Sequence, residues 1–162
     1  MTDATGRLPN VAELLAPILE RVAAPHRPLL IALAERMAAA RYRGWAADPA
    51  NRRRRSDLLA CADREEEIAR RVESLFPAAA SLQRDLLARH PEVEALDREL
   101  FAGRPLQEQL GIQARGERLG AATWRSLAKR AEGVERQTFL DCARLEEESA
   151  VYLESLNRAG SA

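Results

Sequence analysis

One stretch of the chain occurs twice, and this duplication constrains the fold more than any other feature of the sequence. Residues 61–75 read CADREEEIARRVESL and residues 142–156 read CARLEEESAVYLESL, with nine of the fifteen positions identical in an alignment without gaps. A second matched pair, residues 34–43 and residues 116–125, lies upstream at almost the same separation. Two matched segments in the same order indicate a duplicated helix pair.

Composition favours a helical protein with balanced charge. Aromatic residues make up 4% of the chain, and β-branched residues are also scarce, so strands are not expected. The 25 basic residues equal the 25 acidic residues in number. A balanced chain has no overall field that attracts polyanions, so we expect neither nucleic acid nor a membrane surface as a partner.

Length and cysteine use set expectations for organisation and location. A chain of 162 residues is of the size of one domain. No apolar stretch reaches the roughly 18 residues that span a bilayer, and the N-terminus does not have the pattern of a signal peptide. The two cysteines lie far apart in helical contexts, which is typical of a reducing compartment. We therefore expect an all-α cytoplasmic protein.

Apolar spacing and helix-breaking residues predict four long helices and three shorter ones. The long helices are predicted at 28–47, 56–76, 105–130 and 133–156. Shorter helices are predicted at 10–24, where Asn10 is the cap, at 78–89 and at 92–101.

These helices form one predicted domain, residues 1–162. Repeat one covers about 28–76, a crossover with short helices covers 77–104, and repeat two covers about 105–156. The N-terminal helix has an apolar face outside the repeats, and this face either caps the bundle or builds a homodimer contact.

Each long helix has a seam, a stripe of inward-facing positions spaced alternately by three and four residues, and one glutamate interrupts each seam. The four glutamates occupy duplicated positions: Glu35, Glu65, Glu117 and Glu146. Their neighbours along the seams are apolar or small residues, so the pattern predicts four carboxylates inside the bundle.

A buried carboxylate is costly unless something compensates its charge. Cations provide one compensation, and shared protons or arginines that reach inward provide another. Four arginines recur in both repeats, and their spacing places them on the flanks of the helices: Arg36, Arg43, Arg118 and Arg125. We therefore regard them as flank residues and not as direct partners of the seam glutamates.

The glutamate pattern resembles that of ferritin-like di-iron proteins, in particular the rubrerythrin branch. In that family one helix carries a glutamate and its partner carries Glu-x-x-His, and both elements are repeated after a long crossover. Glu35 and Glu65 match in the first repeat, and Glu117 and Glu146 match in the second. The resemblance implies a ferritin-like four-helix bundle with a metal site, iron- or oxygen-related chemistry and a di-metal cofactor.

The chain departs from that family at both histidine positions, which are occupied by Ile68 and Ser149. Its two histidines, His26 and His90, lie beside prolines at predicted helix ends. The Cys-x-x-Cys iron site of some rubrerythrins is also missing. A site built only of carboxylates favours hard ions such as Mn²⁺, Mg²⁺, Ca²⁺ or ferric iron.

Two interpretations stay open at this point. In one, the four glutamates bind iron or manganese and the protein has redox chemistry with dioxygen or peroxide. In the other, the fold is a metal-free degenerate scaffold that acts as a protein-interaction module. Whether the protein is an enzyme stays open as well.

Further duplicated residues have structural explanations. Tyr42 and Trp124 are equivalent and are expected in the core, with a redox role near a metal as the alternative. Cys61 and Cys142 are expected to be ordinary buried cysteines. Gly111, Gly116 and Gly120 lie inside a predicted helix, which indicates close approach of another backbone, with Gly120 at the position of Ala38 in the other repeat.

Overall fold

The computed structural model describes Pro9 and residues 11–159. Within these residues the chain is helical, and no strand is present in them. The α-helices are α1 (Val11–Arg21), α2 (Arg27–Ala47), α3 (Arg55–Glu73), α4 (Ala79–Arg89), α5 (Glu92–Phe101), α6 (Leu106–Ala128) and α7 (Gly133–Ala159). Short 3-10 helices cover Ala24–His26 and Pro49–Arg54. The predicted all-α class is confirmed.

The chain divides into two compact units. One covers residues 22–89 and contains α2, α3 and α4. The other contains α1 together with the described residues from His90 onward, which form α5, α6 and α7. We call α2 with α3 the first hairpin and α6 with α7 the second hairpin. The single-domain organisation stays a prediction.

The first hairpin is antiparallel, as its flanking ion pairs show. Arg36 pairs with Glu73 and, at 2.6 Å, with Glu66, while Arg43 pairs with Glu66 at 2.9 Å. The arginine nearer the end of α2 therefore pairs with the glutamate nearer the start of α3, as expected for antiparallel helices. In the connection, the Asp48 carboxylate accepts a hydrogen bond from the backbone N–H of Ala50 at 2.9 Å.

The ends of α3 differ slightly from the prediction. The helix begins at Arg55, one residue before Ser56, and ends at Glu73, before the predicted end at Phe76. The preceding 3-10 helix explains the early start, because its backbone continues directly into the first turn of α3. The glutamates predicted for the seam are not affected by this shift.

Helix α4 packs against α2 within the same unit. Its buried Gln83 donates to the Leu29 carbonyl at 3.3 Å and to the Glu73 carboxylate at 3.0 Å. One amide thus ties α4 to both long helices of the unit.

The second hairpin has the same antiparallel arrangement. Arg118 pairs with Glu154 at 2.7 Å, and Arg125 pairs with Glu147 at 2.5 Å. Helix α7 begins at Gly133, whose φ of +55° is a conformation that residues with a Cβ rarely adopt.

Helices α1 and α5 pack in the same unit as the second hairpin, and α1 contacts both α5 and α6. Ile18 on the apolar face of α1 is buried. Helix α1 ends at Arg21, earlier than the predicted residue 24, and Arg21 pairs with Glu92 at the start of α5. Asn10, the predicted cap, lies outside the described residues, and the homodimer contact stays a prediction.

No helix in the described part of the chain combines the length and the apolar character that a membrane crossing requires.

Candidate metal centre

The four predicted glutamates are all buried, which is unusual for this residue type. The exposed fractions are 8% for Glu35, 0% for Glu65, 1% for Glu117 and 2% for Glu146. The prediction that each seam buries a carboxylate is therefore confirmed. Each glutamate comes from a different long helix: α2, α3, α6 and α7.

The seams that carry these glutamates are buried as the spacing predicts. Ile31, Ala38 and Tyr42 flank Glu35 on α2, and all three are buried. Buried seam residues on the other helices are Leu58, Cys61, Ile68 and Val72 on α3, Gln113 and Trp124 on α6, and Phe139, Cys142, Ser149 and Leu153 on α7. The other predicted seam positions, Leu75, Gly120, Leu127 and Leu156, are only partly buried, so the alternating spacing identified most of the inner face of each helix.

The first hairpin brings two carboxylates close together. One carboxylate oxygen of Glu35 and one of Glu65 lie within 4.8 Å of each other. At that distance two full charges repel by about 3–4 kcal/mol with an effective dielectric constant near 20. Such a pair needs a cation, a shared proton or a hydrogen-bond donor to offset the repulsion.

Core residues fill the seam positions on either side of these two glutamates. Ile31 and Ile68 are buried and have apolar side chains. Tyr42 is fully buried, and its ring contacts Trp45 edge to face with 5.3 Å between the ring centroids. The expectation that Tyr42 belongs to the core is confirmed.

The second hairpin supplies hydrogen-bond donors to its glutamates. Gln113 donates its side-chain amide to Glu117 Oε1 at 2.6 Å, and Trp124 donates its indole N–H to Glu146 Oε1 at 3.0 Å. Gln113 occupies the position of Ile31, and Trp124 occupies the position of Tyr42. Both donors are buried, so these bonds are protected from water.

Gly120 allows the Glu146 carboxylate to lie against α6. A Cβ added at this glycine would lie 2.3 Å from Glu146 Oε1, far inside van der Waals contact. The predicted close approach of another backbone is wrong at both positions: at Gly120 the neighbour is a carboxylate, and a Cβ added at Gly116 would meet nothing within 4 Å. The equivalent position of the first hairpin is Ala38.

The recurring arginines flank the hairpins as predicted. They form equivalent ion pairs in the two repeats: Arg36–Glu73 with Arg118–Glu154, and Arg43–Glu66 with Arg125–Glu147. Hydrogen bonds from Arg36 hold the pKa of Glu73 below its ordinary value, although partial burial acts in the opposite direction. Hydrogen bonds from Arg118 likewise lower the pKa of Glu154.

The four seam glutamates offer oxygen atoms to a metal ion, and the seams contain no imidazole. His26 lies in the 3-10 helix before α2, and His90 directly precedes the turn into α5. His90 Nδ1 lies 3.4 Å from Glu92 Oε1, away from the seam glutamates of α6 and α7. Four buried carboxylates without imidazole suit a hard cation better than ferrous iron.

Sequence reasoning did not assign the two donors of the second hairpin to their glutamates. Gln113 and Glu117 are separated by four residues on one helix, a spacing that brings side chains together, so this bond had a signal in the sequence. The bond between Trp124 and Glu146 had none, because it joins two helices. Cys61 and Cys142 are buried thiols, as expected, and an Arg64 nitrogen lies 3.1 Å from Cys61 Sγ.

Comparisons of this chain with protein-family models, with curated proteins and with solved structures give no match.

Proposed function

We propose that this chain is a divergent protein of the ferritin-like, rubrerythrin-like kind that binds metal through carboxylates alone. Glu35, Glu65, Glu117 and Glu146 are the proposed ligands, and iron or manganese is the proposed metal. The observation that carries the proposal is the burial of all four glutamates at duplicated positions, one on each long helix.

The electrostatics of buried carboxylates support a cation. Glu35 and Glu65 have oxygens within 4.8 Å of each other in the first hairpin, and both side chains are at least nine-tenths buried. Leaving two such groups charged and uncompensated costs several kcal/mol. A divalent or trivalent ion offsets this cost and gains oxygen ligands at the same time.

The kind of metal follows from the ligands. Carboxylate oxygens are hard donors, and without imidazole the preference moves toward manganese and ferric iron. A redox metal held here would supply the activation of dioxygen or peroxide. The chain's own part is to hold the ion by its carboxylates and to keep water away with the surrounding seam residues.

A second candidate function is a metal-free scaffold on the same fold that acts as a protein-interaction module. The hydrogen bonds that Gln113 and Trp124 donate favour it, because they stabilise Glu117 and Glu146 without any ion. In this case the remaining charge of the buried carboxylates is offset by shared protons.

Metal content and metal-dependent stability distinguish these functions. Protein purified without chelators is analysed for iron and manganese, and its thermal unfolding is followed with and without added Mn²⁺. A cation at one hundred times its dissociation constant adds about 2.7 kcal/mol to the folded state. For a chain of this length that corresponds to a rise of about 5–10 °C in Tm.

Two double variants complete the design. Glu65→Gln with Glu146→Gln removes one proposed ligand from each hairpin and should abolish both metal content and the Tm response. Glu67→Gln with Glu148→Gln is the matched control, since it removes two equally duplicated glutamates that form exposed ion pairs with arginines. Metal-free protein with a Tm that ignores Mn²⁺ contradicts the metal site and supports the scaffold.

A further inference from the structure

Four consecutive arginines, residues 52–55, lie where the connection of the first hairpin meets α3. We call these four residues the arginine run. The first three end the 3-10 helix Pro49–Arg54, and the fourth is the first residue of α3. All except Arg54, which is partly buried, are exposed. The arginine run is therefore a short, strongly basic patch on the surface.

The charge of the arginine run is not compensated by nearby carboxylates. Within residues 11–159, no acidic side chain forms an ion pair with any of the four arginines. The nearest acidic residues in the sequence are Asp48 and Asp57. Asp48 accepts a hydrogen bond from the backbone N–H of Ala50 at 2.9 Å, and Asp57 lies in the first turn of α3. The guanidinium groups are thus available to an external anion.

The position of the arginine run is electrostatically unfavourable for the isolated chain. The backbone N–H groups at the start of a helix carry partial positive charge, so cations are disfavoured there. Adjacent like charges also repel each other. Natural sequences break such local rules mainly at functional or strained sites. The arginine run is therefore a candidate site and not an ordinary helix start.

The second hairpin has a different sequence at the equivalent positions, which read GVER. Glu135 there lies in the first turn of α7, where the helix dipole favours an acidic residue. The basic residues at this end of the hairpin are mixed with acidic ones: Lys129 and Arg130 precede Glu132, and Arg136 follows Glu135. The duplication alone therefore does not account for four arginines in the first repeat.

We infer that the arginine run docks an acidic segment of a partner protein. A guanidinium group binds a carboxylate through two parallel N–H···O bonds, which makes arginine well suited to recognise acidic side chains. Leu59 lies four residues after Arg55, on the same face of α3, and is 38% exposed. It offers an apolar contact to a segment in which apolar residues accompany the carboxylates.

Nucleic acids and membranes fit the arginine run less well. Proteins that bind single-stranded nucleic acid commonly stack the bases on aromatic rings, but Tyr42 and Trp45 at the adjoining end of α2 are only 0% and 8% exposed. Stable membrane attachment requires an inserted apolar element besides a basic patch. In α3, Leu59 is the single exposed large apolar residue.

Fluorescence anisotropy on the full chain tests the docking. The probe is a fluorescein-labelled peptide in which pairs of glutamates alternate with single leucines. A triple variant, Arg52→Gln with Arg53→Gln and Arg55→Gln, should weaken binding by about tenfold or more, because three charge-assisted contacts are lost. Its Tm should stay equal or rise, since like charges at a helix N-terminus are removed. Added salt should weaken the binding of the natural protein.

Matched variants of the second hairpin provide the controls. Lys129→Gln with Arg130→Gln and Arg136→Gln removes the same charge from exposed positions and should keep the affinity within about twofold. Leu59→Gln should weaken binding by about threefold to tenfold, because an apolar contact is lost. Leu140→Gln, at the equivalent position with 40% exposure, should leave the affinity unchanged.

Several results would overturn the inference. One is the absence of peptide binding, and another is an equal loss of affinity in both triple variants, since net charge alone would then explain the binding. Tighter binding to an oligothymidine strand or to vesicles containing phosphatidylserine would assign a different partner. Self-association that the arginine variant abolishes would show that a second copy of the chain occupies the site. The arginine run contains no seam glutamate, so either proposal can fail while the other stands.

Discussion

Two ion pairs that flank the first hairpin have equivalents in the second, whereas the side chains beside the buried glutamates differ. Arg36 and Arg118 are equivalent and each pairs with an equivalent glutamate of the opposite helix. Inside, however, Ile31 faces the seam of one hairpin where Gln113 donates to Glu117 in the other. The flanks of the two repeats thus carry equivalent charged pairs, whereas the buried side chains beside the glutamates differ in chemical type.

The seam positions beside the buried carboxylates therefore carry different side chains in the two hairpins. The second hairpin provides fixed donors, an amide and an indole, to one oxygen of each glutamate. The first brings one carboxylate oxygen of Glu35 and one of Glu65 within 4.8 Å of each other. Substitutions at equivalent residues of the two hairpins therefore test whether the same position contributes differently to the stability of each repeat.

The largest expected effect concerns Ile68 and the equivalent residue of the second repeat, Ser149. Ile68→Ser creates a cavity and brings a hydroxyl into a fully buried site, and we expect a loss of about 3–5 kcal/mol in the free energy of unfolding. At the equivalent position Ser149→Ala should cost only about 0.5–1.5 kcal/mol, the worth of a hydrogen bond. Urea denaturation of both variants gives the two values. Equal losses of unfolding free energy in the two variants would show that Ile68 and Ser149 contribute equally to stability.

The next effect concerns the equivalent ion pairs of Arg36 and Arg118. Arg36 binds Glu66 and Glu73, and the Glu73 side chain is only 17% exposed. The pair of Arg118 with Glu154 is 44% and 35% exposed. Arg36→Met should cost about 1.5–3 kcal/mol because it leaves a partly buried charge, whereas Arg118→Met should cost about 0–1 kcal/mol. Chemical denaturation at neutral pH measures both, and a reversed order would contradict the burial argument.

A pH experiment sharpens the same comparison. Hydrogen bonds from Arg36 lower the pKa of Glu73 from an ordinary value of 4.5, so its contribution to stability is fully present above pH 4.5. That contribution is lost as the pH falls through the lowered pKa of the folded state, with a slope of up to about 1.4 kcal/mol per pH unit.

The acid limb of the stability curve should therefore become less steep in Arg36→Met. Arg118→Met should flatten it less, since Glu154 is more exposed than Glu73 and its ion pair is more strongly screened by solvent. Unfolding free energies measured between neutral pH and the acid range provide the comparison. An unchanged acid limb in Arg36→Met would show that Glu73 does not depend on this arginine.

The smallest effect is expected at the outer ion pairs. Arg43 is 47% exposed in its pair with Glu66, and Arg125 is 49% exposed in its pair with Glu147. Arg43→Met and Arg125→Met should each change the unfolding free energy by less than about 0.5–1 kcal/mol, and by similar amounts. Thermal denaturation of the pair tests this equality. A large cost for only one would show that the flanks, too, have diverged.

Much of the helical layout was accessible from the sequence. Prolines and apolar spacing located, in order, the seven α-helices found in residues 11–159, and the error at the ends of α3 was one to three residues. The seam spacing correctly predicted the burial of Glu35 and Glu146. These features depend on local periodicity, which the order of residues encodes directly.

The partners inside the second hairpin were less accessible. The bond between Trp124 and Glu146 joins residues 22 positions apart on different helices. Its formation depends on the rotamer of the indole, the stacking on Phe139 and the gap at Gly120, none of which periodicity specifies. In the sequence, Tyr42 at the equivalent position of the first repeat did not indicate this bond either.

The sequence alone determined that four glutamates, at duplicated positions, interrupt four apolar seams, because the helical repeat converts residue spacing into a face. Only the tertiary structure decided what surrounds each carboxylate: a second carboxylate beside Glu35, an amide beside Glu117 and an indole beside Glu146. The physical reason is that burial follows from periodicity within one helix. A hydrogen bond between helices requires two side chains to reach the same point with the correct direction, and packing alone sets that geometry.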